Sequence, residues 1–139
     1  MEYQIKKQQV MKLLLQACPS YQERWKVYFE DNYGDDDEPL LYVDLGDFAH
    51  HLIDLYKTNK LEEFPEIFQV IEQLHVNGDE YVKEAATIGL LEAIQNVSSN
   101  SNLNPKLFIT YLNPESLKWW NHLNDFWEGK TNFVGDKEK

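Results

Sequence analysis

The chain has 139 residues, of which 42% are hydrophobic and 14% aromatic, and its formal net charge at pH 7 is −11. This composition fits one globular domain with a sizeable core and excludes a disordered chain. Residues 28 to 66 hold twelve acidic residues against two lysines, so that segment alone carries −10 of the net charge. The basic residues are scattered, which argues against nucleic-acid binding through phosphates.

The sequence also favours a location inside the cell. The single Cys18 cannot form an internal disulfide, and the first ten residues, MEYQIKKQQV, lack the apolar stretch of a signal peptide. No apolar run approaches the length that crosses a membrane. We therefore expect a cytoplasmic protein with no membrane partner.

Helical periodicity runs through almost the whole chain and predicts an all-α fold. The first predicted helix covers residues 2 to 18 and ends before Pro19. Ser20, followed three residues later by Glu23, has the pattern of a capping box and predicts the start of a second helix. That helix has an aromatic face made of Tyr21, Trp25, Tyr28 and Phe29.

The third and fourth predicted helices have regular apolar faces with spacings of three and four. Over residues 39 to 58 this face consists of Leu41, Leu45, Phe48, Leu52 and Leu55. Over residues 62 to 76 it consists of Phe64, Ile67, Phe68, Ile71 and Leu74. Gly78 is predicted to end the fourth helix in the left-handed conformation, and Asp79 to cap the fifth.

The fifth predicted helix, residues 80 to 97, is apolar around most of its circumference, so we expect it at the centre of the fold. A stripe through Glu84, Thr87 and Gln95 is predicted to face water. The sequence thus predicts a single all-α domain of about seven helices over residues 1–129. Residues 130–139 are expected to form a flexible tail.

Two Asn-Pro pairs mark the C-terminal part of the chain. Asn104-Pro105 and Asn113-Pro114 each predict a helix start, with asparagine as the cap and proline at the first helical position. The last helix then carries an aromatic set made of Trp119, Trp120, Phe126 and Trp127. This set indicates either a packed C-terminal helix or an exposed anchor at a dimer or partner interface.

Two resemblances concern the middle of the chain. Residues 45 to 97, which end in the small-residue helix DEYVKEAATIGLLEAI, resemble one helical hairpin of the HEAT-like repeat class, without a second copy that would make a solenoid. Residues 41 to 96 also resemble a family of small, uncharacterised bacterial all-helical proteins. The family resemblance implies a helical fold and transfers no catalytic residue. Some small acidic helical proteins of this type look like immunity proteins, which neutralise a toxin encoded beside them.

A run of acidic residues is the first candidate site. It contains Glu30, Asp31, Asp35, Asp36, Asp37 and Glu38. The spacing does not match a calcium-binding EF-hand loop. The run is either a solvated loop that repels itself or a docking patch for a basic protein. In the second case, Tyr33, Tyr42, Asp44 and Asp47 complete the candidate partner-binding surface.

A cluster of histidines and carboxylates is the second candidate. Its members are Asp47, His50 and His51 on the third predicted helix and Glu72 and His75 on the fourth. Asp, Glu and His at these spacings can hold a metal or transfer a proton. Metal sites in helical bundles need Glu-x-x-His pairs from several helices, whereas this sequence offers one such pair and an Asp-x-x-His imitation. Surface histidines stabilised by neighbouring acids explain the pattern equally.

No familiar catalytic motif is present: the sequence lacks a glycine-rich phosphate loop, G-x-S-x-G, H-E-x-x-H and paired C-x-x-C. We therefore predict a non-enzymatic domain that has no cofactor and binds a basic protein. An immunity or inhibitor protein that neutralises a toxin or nuclease fits this description. Two alternatives stay open. One is a metal-dependent or acid/base site on the third and fourth helices, and the other is a helical-repeat scaffold or homodimer.

Overall fold

Most of the described chain is helical, and the all-α prediction is confirmed. The structure, a computed structural model, describes residues 4–127, without the side chain of Trp127. Within that range the α-helices are α1 Lys7–Ala17, α2 Gln22–Asn32, α3 Leu41–Lys57, α4 Phe64–Asn77, α5 Glu80–Glu84, α6 Glu92–Asn100 and α7 Pro114–Trp127. A π-helical segment, Ala85–Leu91, joins α5 to α6, and 3-10 helices cover Pro19–Tyr21 and Pro105–Tyr111. The predicted tail, residues 130–139, lies outside the described residues.

The core is built around α3, which packs against the π-helical segment and α6. The predicted apolar faces of α3 and α4 are confirmed, because every residue assigned to them is buried. Around this centre, α1 packs against α4, and α4 packs against α7. Full burial of each large apolar side chain contributes about 1.5–3 kcal/mol, so these faces supply the main stabilisation of the domain.

The predicted water-facing stripe on the central helix is wrong at two of its three positions. Thr87 and Gln95 are both buried, while Glu84 is exposed. Thr87 lies in the π-helical segment, where Thr87 Oγ1 is 3.0 Å from Nε2 of the buried His75. The wider hydrogen-bond spacing of a π-helix changes the direction of successive side chains, so a stripe drawn at the α-helical period does not continue through it.

Glycine allows a close approach at the turn between α4 and α5. Gly78 has φ −68° and ψ 153°, an extended conformation rather than the predicted left-handed one. A Cβ atom at Gly78 would clash with the carbonyl oxygen of Leu74 and would lie 2.6 Å from the side chain of Val82. The predicted cap at Asp79 is confirmed, because Val82 N–H donates to Asp79 Oδ1 at 2.9 Å.

The beginning of the described chain pairs with this same turn. Ile5 N–H donates to the carbonyl oxygen of Asn77 at 2.9 Å, and Asp79 N–H donates to the carbonyl oxygen of Ile5 at 3.0 Å. The side chain of Ile5 is buried. Residues 4 to 6 therefore precede α1 instead of belonging to it, contrary to the predicted start of the first helix.

The tryptophans of α7 divide between the core and its edge. Trp120 is fully buried. Trp119 is half-buried, its Nε1–H donates to Glu115 Oε1 at 3.3 Å, and its ring meets His122 edge-on. The packed-helix interpretation therefore fits Trp120, and Trp119 keeps part of its ring accessible.

Candidate partner-binding surface and groove

The helix α2 attaches to the domain in an unusual way. All of its residues are described, and none is buried. Its aromatic side chains form a series that continues to Tyr33. The ring centroids are 5.7 Å apart for Trp25 and Tyr28, 5.6 Å for Trp25 and Phe29, and 5.1 Å for Phe29 and Tyr33. Within this series Trp25 packs against the core, and polar contacts with α3 hold the rest of α2 against the domain.

Asp44 provides the first of these polar contacts. Its side chain accepts hydrogen bonds at Oδ1 from the hydroxyls of Tyr28, at 2.9 Å, and Tyr33, at 2.5 Å. Asp44 is 1% exposed. Burial raises the pKa of the Asp44 carboxyl, although the two tyrosine donors act in the opposite direction. Asp44 therefore does not belong to the outer surface where the sequence-based hypothesis had placed it, and we remove it from the exposed patch.

Asp47 provides the second contact. Arg24 donates to it twice, from Nε at 3.2 Å and from Nη2 at 3.0 Å, and the hydroxyl of Tyr21 adds a third bond at 2.7 Å. Arg24 Nη1 also reaches Asp54 Oδ2 at 3.1 Å. Burial would raise the pKa of Asp47, but the donors on Arg24 and Tyr21 outweigh it and the pKa is lowered. Asp47 thus acts as an internal cross-link.

The acidic loop between α2 and α3 has its carboxylates on the outside. Its exposed acids are Asp35, Asp36, Asp37 and Glu38, and the exposed Glu30 and Asp31 lie next to them in the last turn of α2. A hydrogen bond joins the two ends of the loop: the hydroxyl of Tyr33, at its start, accepts from the N–H of Leu40, at its end, at 3.0 Å. Gly34 N–H donates to Asp37 Oδ2 at 2.7 Å, and Lys7 Nζ lies 3.3 Å from Glu38 Oε1. These bonds oppose the mutual repulsion of the acids.

Beside the acidic loop lies a groove of about 770 Å³. Its walls come from α1, α2, the acidic loop and the start of α3, and its apolar lining includes Met11, Leu15, Trp25, Pro39, Leu40 and Leu41. Leu40 is 60% exposed, and Tyr81, at the α5 side, is 44% exposed. The volume falls in the range of sites that enclose a drug-sized ligand or several side chains. Sequence reasoning missed this groove.

Tyr42, also assigned to the partner surface, lies near Tyr81. Its hydroxyl donates to Glu84 Oε1 at 3.0 Å, and its ring meets that of Tyr81 edge-on with centroids 5.9 Å apart. Tyr42 is half-buried, and a Cβ atom at Gly89 would lie 3.1 Å from its ring. This contact is a second close approach that glycine permits, here between α3 and the π-helical segment.

The five candidate metal ligands have other partners or point elsewhere. Asp47 pairs with Arg24, His50 is exposed, and His51 Nε2 lies 3.0 Å from Ser20 Oγ. Over residues 4–127, no group of three or more His, Cys, Asp or Glu side chains has an arrangement that could hold a metal ion. The described residues therefore offer these five side chains no metal site, and the acid/base version of this alternative stays a prediction.

Glu72 instead caps a helix. It accepts hydrogen bonds from the backbone N–H groups of Glu115, at 3.1 Å, and Ser116, at 2.9 Å, and from the Ser116 hydroxyl at 2.9 Å. Burial would raise the pKa of Glu72, but these donors lower it. The predicted cap Asn113 instead donates from Nδ2 to the carbonyl oxygen of Phe68 at 3.3 Å. The start of α7 is therefore capped from α4.

A second long-range tie replaces the predicted capping box. Ser20 donates to Glu63 from its hydroxyl, at 2.5 Å, and from its backbone N–H, at 3.1 Å, so Glu63 takes the place expected for Glu23. Cys18 Sγ also donates to Glu63 Oε1 at 3.3 Å. Burial raises the pKa of the Cys18 thiol to about 12, which leaves almost no nucleophilic thiolate at neutral pH.

The fold and the surface define an all-α domain with an acidic loop beside an apolar groove. The chain belongs to the family described as "Domain of unknown function (DUF7674)", which matches residues 11–128. The acidic loop and most of the groove lie within the matched residues. No curated protein and no solved structure matches the chain.

Of the helices within residues 4–127, none is long and apolar enough to cross a membrane.

Proposed function

We propose that this chain is a non-enzymatic protein-binding domain that presents its acidic loop to a basic partner, as an immunity or inhibitor protein does towards a toxin or nuclease. The observation that carries the proposal is the position of the exposed acidic loop on the rim of an apolar groove. Charged rims and apolar centres are the two parts of a typical protein interface.

Charge gives this surface its long-range attraction. Asp47 and Asp54 are partly neutralised by Arg24, so they add less to the outer field than their number implies. Asp35 and Asp36 have no ion pair with a described residue. Attraction by such exposed acids raises the association rate of a basic partner and weakens with salt, because the Debye length is only about 10 Å at 0.1 M.

The groove supplies apolar contact surface, which the exposed charges do not. Exposed ion pairs contribute about 0–1 kcal/mol each, so affinity has to come from apolar contacts and from order that exists before binding. Leu40 and Tyr81 offer exposed apolar surface, and the bond between Leu40 N–H and Tyr33 fixes the loop next to it. A partner therefore meets a surface that is already ordered.

The test is a matched pair of charge reversals. The double variant Asp35→Lys/Asp36→Lys changes the loop and leaves Asp37, which binds Gly34, in place. The control Glu62→Lys/Glu66→Lys makes the same change of charge at two exposed acids outside the loop. Each protein is used to capture binders from native cell extract, and the association rate of a captured basic protein is then measured at low and high salt.

We expect the loop variant to slow association by about tenfold at low salt and much less at high salt, and the control to have a smaller effect. Co-expression with the captured protein then tests whether the domain relieves its toxicity. Equal effects of both variants would indicate unspecific charge attraction. Unchanged binding in the loop variant would overturn the proposal.

A further inference from the structure

One wall of the groove is as long as a short helix. Its α1 wall runs from Lys7 to Gln16, and at 1.5 Å per residue this wall is about 14 Å long, or two and a half helical turns. Met11 and Leu15 are one turn apart on this wall, and Leu40 and Leu41 also line the groove. An amphipathic helix fills such a groove with apolar side chains spaced three and four residues apart.

A buried carboxylate lies in the same groove. Asp44 is one of the lining residues, although it is 1% exposed. Both tyrosine hydroxyls bind its Oδ1 atom, and no described side chain donates a hydrogen bond to Oδ2. None of the ion pairs between described residues includes Asp44, and the neighbouring Asp47 has the same sign of charge. A buried carboxylate without a counter-charge is costly, so a cation entering the groove would relieve that cost.

The surrounding charges restrict what can enter. Lys7 lines the groove but is engaged by Glu38 and lies 5.8 Å from the centre of the Tyr81 ring. Lys12 stands on the α1 wall and repels a uniformly basic segment. Trp25 adds an aromatic surface that favours a single cation nearby. The lining therefore suits an apolar segment with one basic side chain.

We propose that the groove receives an amphipathic helix of the basic partner, with its apolar side chains on Met11, Leu15 and Leu40 and one arginine or lysine side chain at Asp44. This proposal rests on the proposed function, because it specifies which part of the partner docks. It assigns different tasks to the two sets of acids: the loop attracts the partner, and Asp44 selects the helix.

The experiment uses synthetic helical peptides as probes. One peptide of about fourteen residues carries leucines at i, i+4 and i+7 and a single arginine on the same face. Its matched control has citrulline, a neutral analogue of arginine, at that position. Polylysine of equal length and hexylamine are the other probes. Dissociation constants are measured by fluorescence anisotropy of labelled peptides and by competition.

We expect the arginine peptide to bind about tenfold or more tightly than the citrulline peptide, with the difference lost in Asp44→Asn. Leu40→Asp should weaken the arginine peptide about tenfold, whereas Val76→Asp, at an exposed residue of α4 outside the groove, should not. Circular dichroism checks the fold of each variant. If Asp44→Asn does not fold, the peptide pair and the Leu40 and Val76 variants still decide the outcome.

Three results would overturn the inference. The first is equal affinity for the arginine and citrulline peptides, or no affinity for either. The second is polylysine competing as well as the arginine peptide, which would indicate unspecific charge attraction. The third is hexylamine binding as tightly as the peptide, which would indicate a small-amine site. If loop-dependent capture of a partner persists while the peptides fail, the proposed function stands and only this inference falls.

Discussion

The neighbouring helices α2 and α3 are held in place by different physical means. α3 contributes eight buried residues to the domain, and α2 contributes none. α3 is stabilised by apolar burial. α2 instead rests on the core through the partly buried Trp25 and is bonded to carboxylates of α3 by its own Arg24 and Tyr28 and by the flanking Tyr21 and Tyr33. The acids of α3 and of the loop therefore have different uses: those of α3 bind α2, and those of the loop stay at the surface.

Removing an apolar side chain from α3 should cause the largest loss of stability. Phe48 is fully buried, so Phe48→Ala should lower the free energy of unfolding by about 3–5 kcal/mol. Urea denaturation followed by circular dichroism measures this loss. Phe29→Ala on α2, where the ring is 38% exposed, is the matched control and should cost far less. Similar losses in both variants would contradict the distinction between the two helices.

Removing one polar tie should have an intermediate effect confined to α2 and the loop. Tyr33→Phe deletes the donor to Asp44 and the acceptor for Leu40 N–H, at an expected cost of about 1–2 kcal/mol. Hydrogen exchange should become faster in residues 22–40 and stay slow in α4. Tyr56→Phe, whose ring packs on Phe64 and Phe108, is the control and should leave exchange in residues 22–40 unchanged. Uniformly faster exchange would contradict a local tie.

The free energy of unfolding should also decrease as the pH is lowered, because of a buried histidine. This loss should be smaller than that in either variant above. Burial lowers the pKa of His75 below its ordinary 6.5, so the unfolded chain takes up the proton first as the pH falls. The contribution of neutral His75 is therefore complete above pH 6.5 and declines below it.

His75→Gln should flatten the decline of the melting temperature between neutral pH and pH 5.5. Part of the decline should remain, because burial also lowers the pKa of His51. Thermal unfolding at several pH values measures the slope. His50→Gln, at an exposed position, is the control. An unchanged slope in His75→Gln would show that the buried imidazole does not resist protonation.

The smallest effect should come from the surface pair between α1 and the acidic loop. Lys7 and Glu38 are 3.3 Å apart but both largely exposed, so Glu38→Gln should change the free energy of unfolding by about 0.5 kcal/mol or less. Chemical denaturation at low and high salt measures this change. A loss comparable with that of Tyr33→Phe would mean that the pair, and not the tyrosine, holds the loop.

The apolar faces could be predicted from the sequence because helical periodicity is a local property. The faces of α3 and α4 were predicted residue by residue, and the cap at Asp79 was predicted as well. The burial of Thr87 was missed, because it depends on a π-helical segment and on His75 from another helix. Gly78 was recognised as important, but close packing and not a left-handed conformation requires it.

The division of the acids between interior and surface could not be predicted in the same way. Arg24 and Asp47 are 23 residues apart in the chain, and nothing near either residue indicates their pairing. The same holds for Glu63, which reaches Ser20 across 43 residues. The groove combines four separate parts of the chain, so no single stretch of sequence predicts it.

The attachment of α2 also has an evolutionary consequence. Because no residue of this described helix is buried, substitutions on its outward side do not reach the core. Residues such as Lys26 and Val27 are exposed, so they can vary without loss of folding as long as Arg24 and Tyr28 are kept. Within related domains we therefore expect α2 and the acidic loop to diverge fastest, giving new binding preferences on an unchanged core.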